Sequence, residues 1–223
     1  MIRHIHSNFT HEYMVPNVLH IVHVYHSAPN EHLEINLSFT VQGNLEFTPI
    51  IFGAGSYTIT LTFILEESAE ALIRGAYALA DSQRCDLITR QYHRGKNSTS
   101  DLALNGIAKD TSMVDYRGMI RIEKSAVSTH AHQENKTILF GSAARATSIP
   151  SIEVLNHDVS CAHASAIGPL DTDHILYARA RGITESDAKK IMVRSIFGQM
   201  LAKINSYDKE QLVTQLTNRI IGV

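Results

Sequence analysis

Two stretches constrain the fold more than anything else in the chain. In residues 33–41, Leu33, Ile35, Leu37, Phe39 and Val41 alternate with Glu34, Asn36, Ser38 and Thr40. In residues 57–65, Tyr57, Ile59, Leu61, Phe63 and Leu65 do the same against Thr58, Thr60, Thr62 and Ile64. A period of two places every apolar side chain on one face of an extended chain, so each stretch reads as a half-buried strand. Shorter strand-like segments at 86–89, 101–106, 119–122, 137–140 and 151–155 recur every 12 to 18 residues, separated by polar runs such as Arg94-Gly95-Lys96-Asn97-Ser98.

Many short strands with turn signals between them describe an all-β body, whether sandwich, barrel or solenoid. The similar lengths of the later strand–turn units lean towards a solenoid, although no crisp sequence repeat is present. Residues 68–81 read equally well as a helix capped by Ser68 or, in their second half, as a strand. The last forty residues change character. Thr184 with Asp187 three positions on is a capping-box-like helix start, and Ala188, Ile191, Met192, Ser195, Ile196, Gln199 and Met200 follow at helical spacing. A second amphipathic run over 208–221 carries Leu212, Leu216 and Ile220 on one stripe, with Asn205-Ser206-Tyr207 as the turn between the two. Such a helix pair either packs on the β body or docks a partner. The expected organisation is therefore a β core over 1–183 and a helical segment over 184–223.

Composition excludes several function classes. With 223 residues the chain has room for a buried core. A formal net charge of -2 gives no basic face for nucleic acid. No window reaches the apolar length of a membrane span, and the start at Met1 to His6 has no apolar signal core, so the expected location is the cytoplasm. The two cysteines, Cys85 and Cys161, form no CxxC and no structural zinc spacing. Seven of the 13 histidines fall in the first 32 residues. His20, His23 and His26 step by three, but the surrounding Ile21, Val22, Val24 and Tyr25 argue for a strand. On one straight strand His23 points away from His20 and His26, so the three do not converge on a metal.

The chemistry-bearing segment is 150–168, and within it Cys161 and His163 stand two apart. On a strand that spacing puts a thiol and an imidazole on one face, about 7 Å apart along the chain. The pair suits a soft metal, but two donors leave a site incomplete, so the remainder must come from another chain or from a cluster. The same spacing also fits a core cysteine beside a hydrogen-bonded histidine. His130 and His132 likewise share a face, as a lesser metal candidate or as exposed turn residues.

The segment Pro150-Ser151-Ile152-Glu153-Val154, then Asp158-Val159-Ser160-Cys161-Ala162-His163 and a small-residue run to Gly168, resembles the core signature of the SufB/SufD family. The similarity extends through Leu170-Asp171, Ile175-Leu176-Tyr177 and Arg179-Ala180-Arg181-Gly182-Ile183. Upstream it includes Gln91-Tyr92-His93 with Ser100-Asp101-Leu102 and Gly106, then Asp115–Ile120, then Gln133–Leu139. The resemblance implies a right-handed parallel β-helix with a C-terminal helical part, and a subunit that assembles iron–sulfur clusters beside a SufC-type ABC ATPase. It implies that residues 184–223 bind that ATPase and that a SufB-type paralogue, or a second copy of the chain, is the other partner. Where SufB-type chains carry a cysteine on the strand matching 133–139, this chain has Asn135, and an amide does not replace a thiolate at a cluster. The chain is therefore SufD-like. By this resemblance His163 is the candidate ligand to iron or a nascent cluster, with Cys161 the weaker one. The chain has no GxxxxGK[ST] loop, so it is not expected to be an enzyme itself, and nucleotide belongs on the partner. Two other readings compete: a metal-free scaffold of the same complex, and a β-helix carbohydrate-active enzyme, whose paired carboxylates are sought in vain among the scattered Asp101, Asp110 and Asp115.

Overall fold

The two-residue alternation is realised in thirteen strands that take turns between two sheets, as the computed structural model shows for residues 2–202 and 209–222. One sheet contains β1 (Ile2–Ile5), β3 (Val18–Ser27), β5 (Asn44–Gly53), β7 (Glu70–Leu79), β9 (Thr99–Lys109), β11 (Thr129–Phe140) and β13 (Val159–Pro169). The other contains β2 (Phe9–Val15), β4 (His32–Val41), β6 (Ser56–Leu65), β8 (Arg84–His93), β10 (Met113–Ile122) and β12 (Arg145–Val154). Every lateral pairing is parallel, and each strand pairs with the strands two before and two after it in sequence. This is a parallel β-helix of two-strand coils. Tyr57 pairs with Cys85 and Cys85 with Val114, so successive coils here advance by 28 and 29 residues. The short segments at 86–89, 101–106, 119–122, 137–140 and 151–155 are pieces of longer strands, cut in the sequence by outward-facing polar residues.

The corners between strands use residues that tolerate a left-handed backbone. Asn30, Ser68, Asp81, Asn97, Asp110 and Ser128 all have φ between 55° and 61°. Ser68 and Asp81 bracket the segment that also read as a helix. It is strand β7, held between β5 and β9, with Ala71, Ile73 and Tyr77 turned inward. Tertiary pairing overrides the modest helix propensity of that run.

Because registers are fixed, inward side chains stack in rows along the solenoid. One row in the second sheet runs Tyr13, Phe39, Phe63, Gln91, Ile120, Ile152. Its aromatic start is tightly stacked, with ring centroids 4.8 Å apart for Tyr13–Phe39 and 5.4 Å for Phe39–Phe63. Gln91 marks a change: the early coils are filled with Phe, Leu and Ile, while the later interior also holds His93, Ser98, Ser100, Gln133, Asn135 and Thr137. A consistent proton assignment closes much of this polar layer. Ser98 donates to the Gly95 carbonyl at 2.9 Å and accepts from His93 Nδ1–H at 2.8 Å. Ser100 then donates to His93 Nε2 and accepts from the Gln91 amide, each at 2.8 Å. The imidazole is neutral, and burial depresses its pKa to about 4.

Three helices follow β13: α1 (Thr172–Ala180), α2 (Glu185–Met200) and α3 (Lys209–Ile221). Helix α1 falls inside the expected β core of 1–183 and is capped by the Asp171 side chain, which accepts from Asp173 N–H at 2.9 Å. The Thr184 cap forms as expected, accepting from Asp187 N–H at 3.1 Å. The stripe of α3 through Leu212, Leu216 and Ile220 is buried, together with Val193, Phe197 and Leu201, against Val24, Ile50, Phe52, Ala76, Ala78 and Ile107 on the outer face of the first sheet. Arg219 fastens α3 to the solenoid by contacts to Gln83 and Asp81. Ile191, expected on the apolar side of its helix, is instead 56% exposed. The proposed turn at 205–207 and the start of the second helix at 208 lie outside the described residues.

Two outcomes follow. At Gly106 a Cβ would enter the ring of fully buried Tyr77, whose hydroxyl shares a 2.6 Å hydrogen bond with Thr137. Gly106→Ala is expected to lower unfolding stability by about 2 kcal/mol or more, measured by denaturant titration. For His93 the unfolded chain binds the proton with a pKa near 6.5 and the folded chain only near 4. Between those values the unfolded state holds more protons, so stability falls as pH drops from 6.5 towards 4, by on the order of 3 kcal/mol at most. His93→Gln should flatten that slope in urea unfolding followed from pH 7 to 5; an unchanged slope contradicts the assignment.

Candidate functional site

The solenoid rows determine where Cys161 and His163 go. His163 pairs with Gln133, which pairs with Leu102, so the row Ile21, Phe47, Ile73, Leu102, Gln133 ends at His163. Cys161 ends the neighbouring row after Ser100 and Ala131. Both side chains thus belong to the inward-facing set of β13. That strand lies at the edge of its sheet, with no further coil on it among the described residues. An inward position in the last coil is a position on the end face, and His163 is exposed there while Gln133 beneath it is 1% exposed. The end face is completed from the other sheet by Ile152 and Val154 of β12, each 39% exposed despite facing inward.

The two donors differ. Cys161 is half-buried and packs on the cluster of Ile120, Ile122, Ala126 and Ala131, and burial raises its thiol pKa. It reaches the thiolate form at neutral pH only with help, such as a metal that displaces the proton. His163 presents an imidazole, which ligates metals without losing a side-chain proton from sulfur. Among the described residues no group of three or more His, Cys, Asp or Glu is placed to hold a metal ion. The pair therefore presents at most part of a coordination shell, on a face that a second molecule can reach.

Asn135, where a cluster cysteine was sought, is buried. It donates to the Leu104 carbonyl at 2.6 Å and lies 3.4 Å from the Tyr77 hydroxyl. It works as an interior brace under Ser165. In the layer beneath His163, both amide atoms of Gln133, Asn135 Oδ1 and Gln91 Oε1 have no partner among the described residues.

His20 and His26 face outward and His23 inward, as the strand reading required. His23 is buried between the Tyr13 and Tyr25 hydroxyls, 3.2 Å from each, with its pKa lowered to about 4 by burial and by neighbouring Arg3 and His11. His130 and His132 are strand residues of β11 rather than turn residues. His132 joins a network that the sequence did not single out: it meets Asp101 at 3.0 Å, Asp101 also pairs with Arg74, and Asn105 donates to Glu134 at 2.8 Å. Partial burial works against ionisation of Asp101, but hydrogen bonds from Arg74 and His132 outweigh it and hold the carboxyl below its usual range. His132 sits directly across from Asp101 on the neighbouring strand, and Arg74 and Asn105 lie on diagonal positions, a juxtaposition visible only once the coil length is known.

A groove of about 400 Å³ joins the end face to the helices, lined by Ile138, Ile167, Pro169, His174, Met192 and Ile196. Beyond it Leu176, Tyr177 and Ile191 on α1 and α2 are 57%, 60% and 56% exposed. No helix among the described residues is long and apolar enough to cross a membrane.

Comparison with known proteins bears on this arrangement. The family model described as "SUF system FeS cluster assembly, SufBD core domain" matches residues 24–196. The iron-sulfur cluster assembly protein SufD of Escherichia coli is 24% identical over 164 residues, covering 73% of this chain and 39% of that protein. The protein of the same name from Bacillus subtilis is 26% identical over 175 residues, 78% of this chain and 36% of its own length. An iron-sulfur cluster assembly SufBD family protein of Mycobacterium leprae is 34% identical over 106 residues, 47% of this chain and 25% of that one. The chain thus spans less than two-fifths of the length of each of these relatives. The matched region takes in β4 to β13, the end face with Cys161 and His163, and most of α2; on that match the chain belongs to the SufB/SufD family of the SUF iron–sulfur cluster assembly system.

Proposed function

We propose that the chain is a SufD-like subunit of a SufBCD-type complex, and that its end face contributes a ligand to an iron–sulfur cluster under construction. The observation that carries this reading is the exposure of His163 at the end of an inward-facing row, where a donor is open to a second protomer rather than packed in its own core. The iron and sulfide are cargo. A SufB-type paralogue, or a second copy of this chain, mates with the end face and supplies the thiolates that two donors lack. The edge of β13, left open among the described residues, favours such mating because its backbone groups there can take another strand, and its residues Ala162, Ala164, Ser165 and Ala166 are small enough for close approach. Cys161 serves as a secondary donor once metal displaces its proton.

In this reading the chain is not an enzyme and binds no nucleotide. A SufC-type ABC ATPase in the same cytoplasmic complex hydrolyses ATP and docks on the C-terminal helices, within 184–223 and the neighbouring α1. The buried stripe of α2 and α3 is committed to the solenoid. What is left for a partner is the opposite side, where Leu176, Tyr177 and Ile191 stay in solvent. Exposed apolar residues grouped on adjoining helices are a usual mark of a docking surface.

Two experiments test the two halves. His163→Ala, in a complex reconstituted with a SufC-type ATPase and a SufB-type paralogue, is expected to cut cluster assembly at least about tenfold without loss of complex formation. Full assembly by that variant removes the iron-ligand role and leaves the scaffold reading. Ile191→Glu with Tyr177→Glu should abolish co-purification with the ATPase while the circular dichroism spectrum and Tm stay near wild type. Retained binding by that folded variant refutes the docking surface. Surface substitutions are preferred to removing 184–223, which would uncover Ile50, Phe52 and Ile107.

A further inference from the structure

The opposite end of the solenoid gathers histidines that are far apart in sequence. His4 pairs laterally with Val24 and Ile5 with Tyr25, so the next residues along, His6 and His26, stand side by side. His4 and His6 are two apart on the same outward face, and all three are exposed. Ring centroids are 6.4 Å apart for His4–His6, with the rings stacked, and 5.6 Å apart for His6–His26. His4 on β1, His6 directly after that strand and His26 beside it on β3 make a geometry from which three imidazoles can share one tetrahedral metal.

From this juxtaposition we infer that His4, His6 and His26 form a binding site for a borderline divalent cation of the zinc type. The donor set is three neutral nitrogens, which suits zinc, nickel or copper and not magnesium or calcium. The rings as they stand are not gathered around one point. Three imidazoles on one metal, with bonds of about 2 Å, have centroids roughly 5 Å apart, so His6 and His26 already stand near that spacing and closing the site requires the rings, His4 above all, to turn inward. Exposed rings turn on the picosecond to nanosecond scale.

Two local features favour closure. His6 Nδ1 lies 3.3 Å from the His26 carbonyl oxygen. Donating that N–H leaves Nε2 as the free lone pair, the arrangement that ordinarily fixes a metal-bound imidazole. His26 is held edge-on to Phe52 at 5.2 Å, which limits its own freedom. The consequence is structural. β1 is only four residues long and, among the described residues, pairs with β3 alone, and a metal shared by His4, His6 and His26 clasps that strand to β3.

The test is zinc titration by calorimetry on the whole chain, with thermal unfolding alongside. A Cys161→Ser/His163→Ala double variant serves as the background that lacks the end-face donors. In that background one zinc per chain is expected, with a rise in Tm, and His6→Ala or His26→Ala should weaken binding at least about tenfold and remove the rise. His20→Ala, on the same strand β3, should leave both unchanged. The inference is overturned if the background variant takes up no zinc, or if His6→Ala and His26→Ala bind as tightly as their parent. Neither outcome touches the reading of His163, which the background already lacks.

Discussion

Lateral register between coils is the constraint on which everything else in this molecule rests. Each inward side chain sits on the one from the coil before, and a slip of a single residue would turn every such row to solvent. That coupling gives the early coils a stacked aromatic row through Tyr13, Phe39 and Phe63. It also dictates what happens at the last coil. Residues of β12 and β13 that obey the inward pattern have nothing further to pack on among the described residues, so Ile152, Val154 and His163 are delivered to a face. The same rule that buries Leu102 and Gln133 exposes His163.

The interior changes character towards that face. Leu and Phe give way to Gln91, His93, Ser100, Gln133 and Asn135, some with amide atoms that no group among the described residues meets. The His93–Ser98–Ser100–Gln91 chain of hydrogen bonds shows that much of this polarity is matched. Polar layers of this kind lower stability relative to an apolar core but specify a single arrangement when their partners are met. Here they lie directly under the row that ends in His163.

Much of the fold was readable because alternation is a local signal. The strands at 33–41 and 57–65 were plain, as were the Thr184 cap and the α3 stripe. Strands such as β8 and β9 were seen only in part, because outward Thr, Arg and Asn residues break the apolar pattern where the solenoid meets water. The helix-or-strand ambiguity at 68–81 was settled by neighbours β5 and β9, which no local pattern announces. Helix α1 escaped notice because its amphipathicity is weak and only Ile175 is buried. Ile191 was placed on the wrong side because the packed stripe of α2 runs through Val193 and Phe197. For the site, the resemblance to SufB/SufD chains singled out Cys161 and His163. Spacing alone favoured a core pair, and only the edge position of β13 shows His163 in solvent. Contacts between coils, such as His132 with Asp101 or His6 with His26, depend on a coil length that sequence periodicity did not define.

The central claim is that an imidazole from this end face ligates the cluster. The most direct measurement is pulsed EPR on the reduced cluster in a reconstituted complex in which this chain alone carries ¹⁵N-labelled histidine. If His163 ligates the cluster, a ¹⁵N hyperfine coupling of the size given by a directly bound imidazole is expected, absent when the labelled chain carries His163→Ala. A cluster with no such coupling, ligated wholly by sulfur, contradicts it.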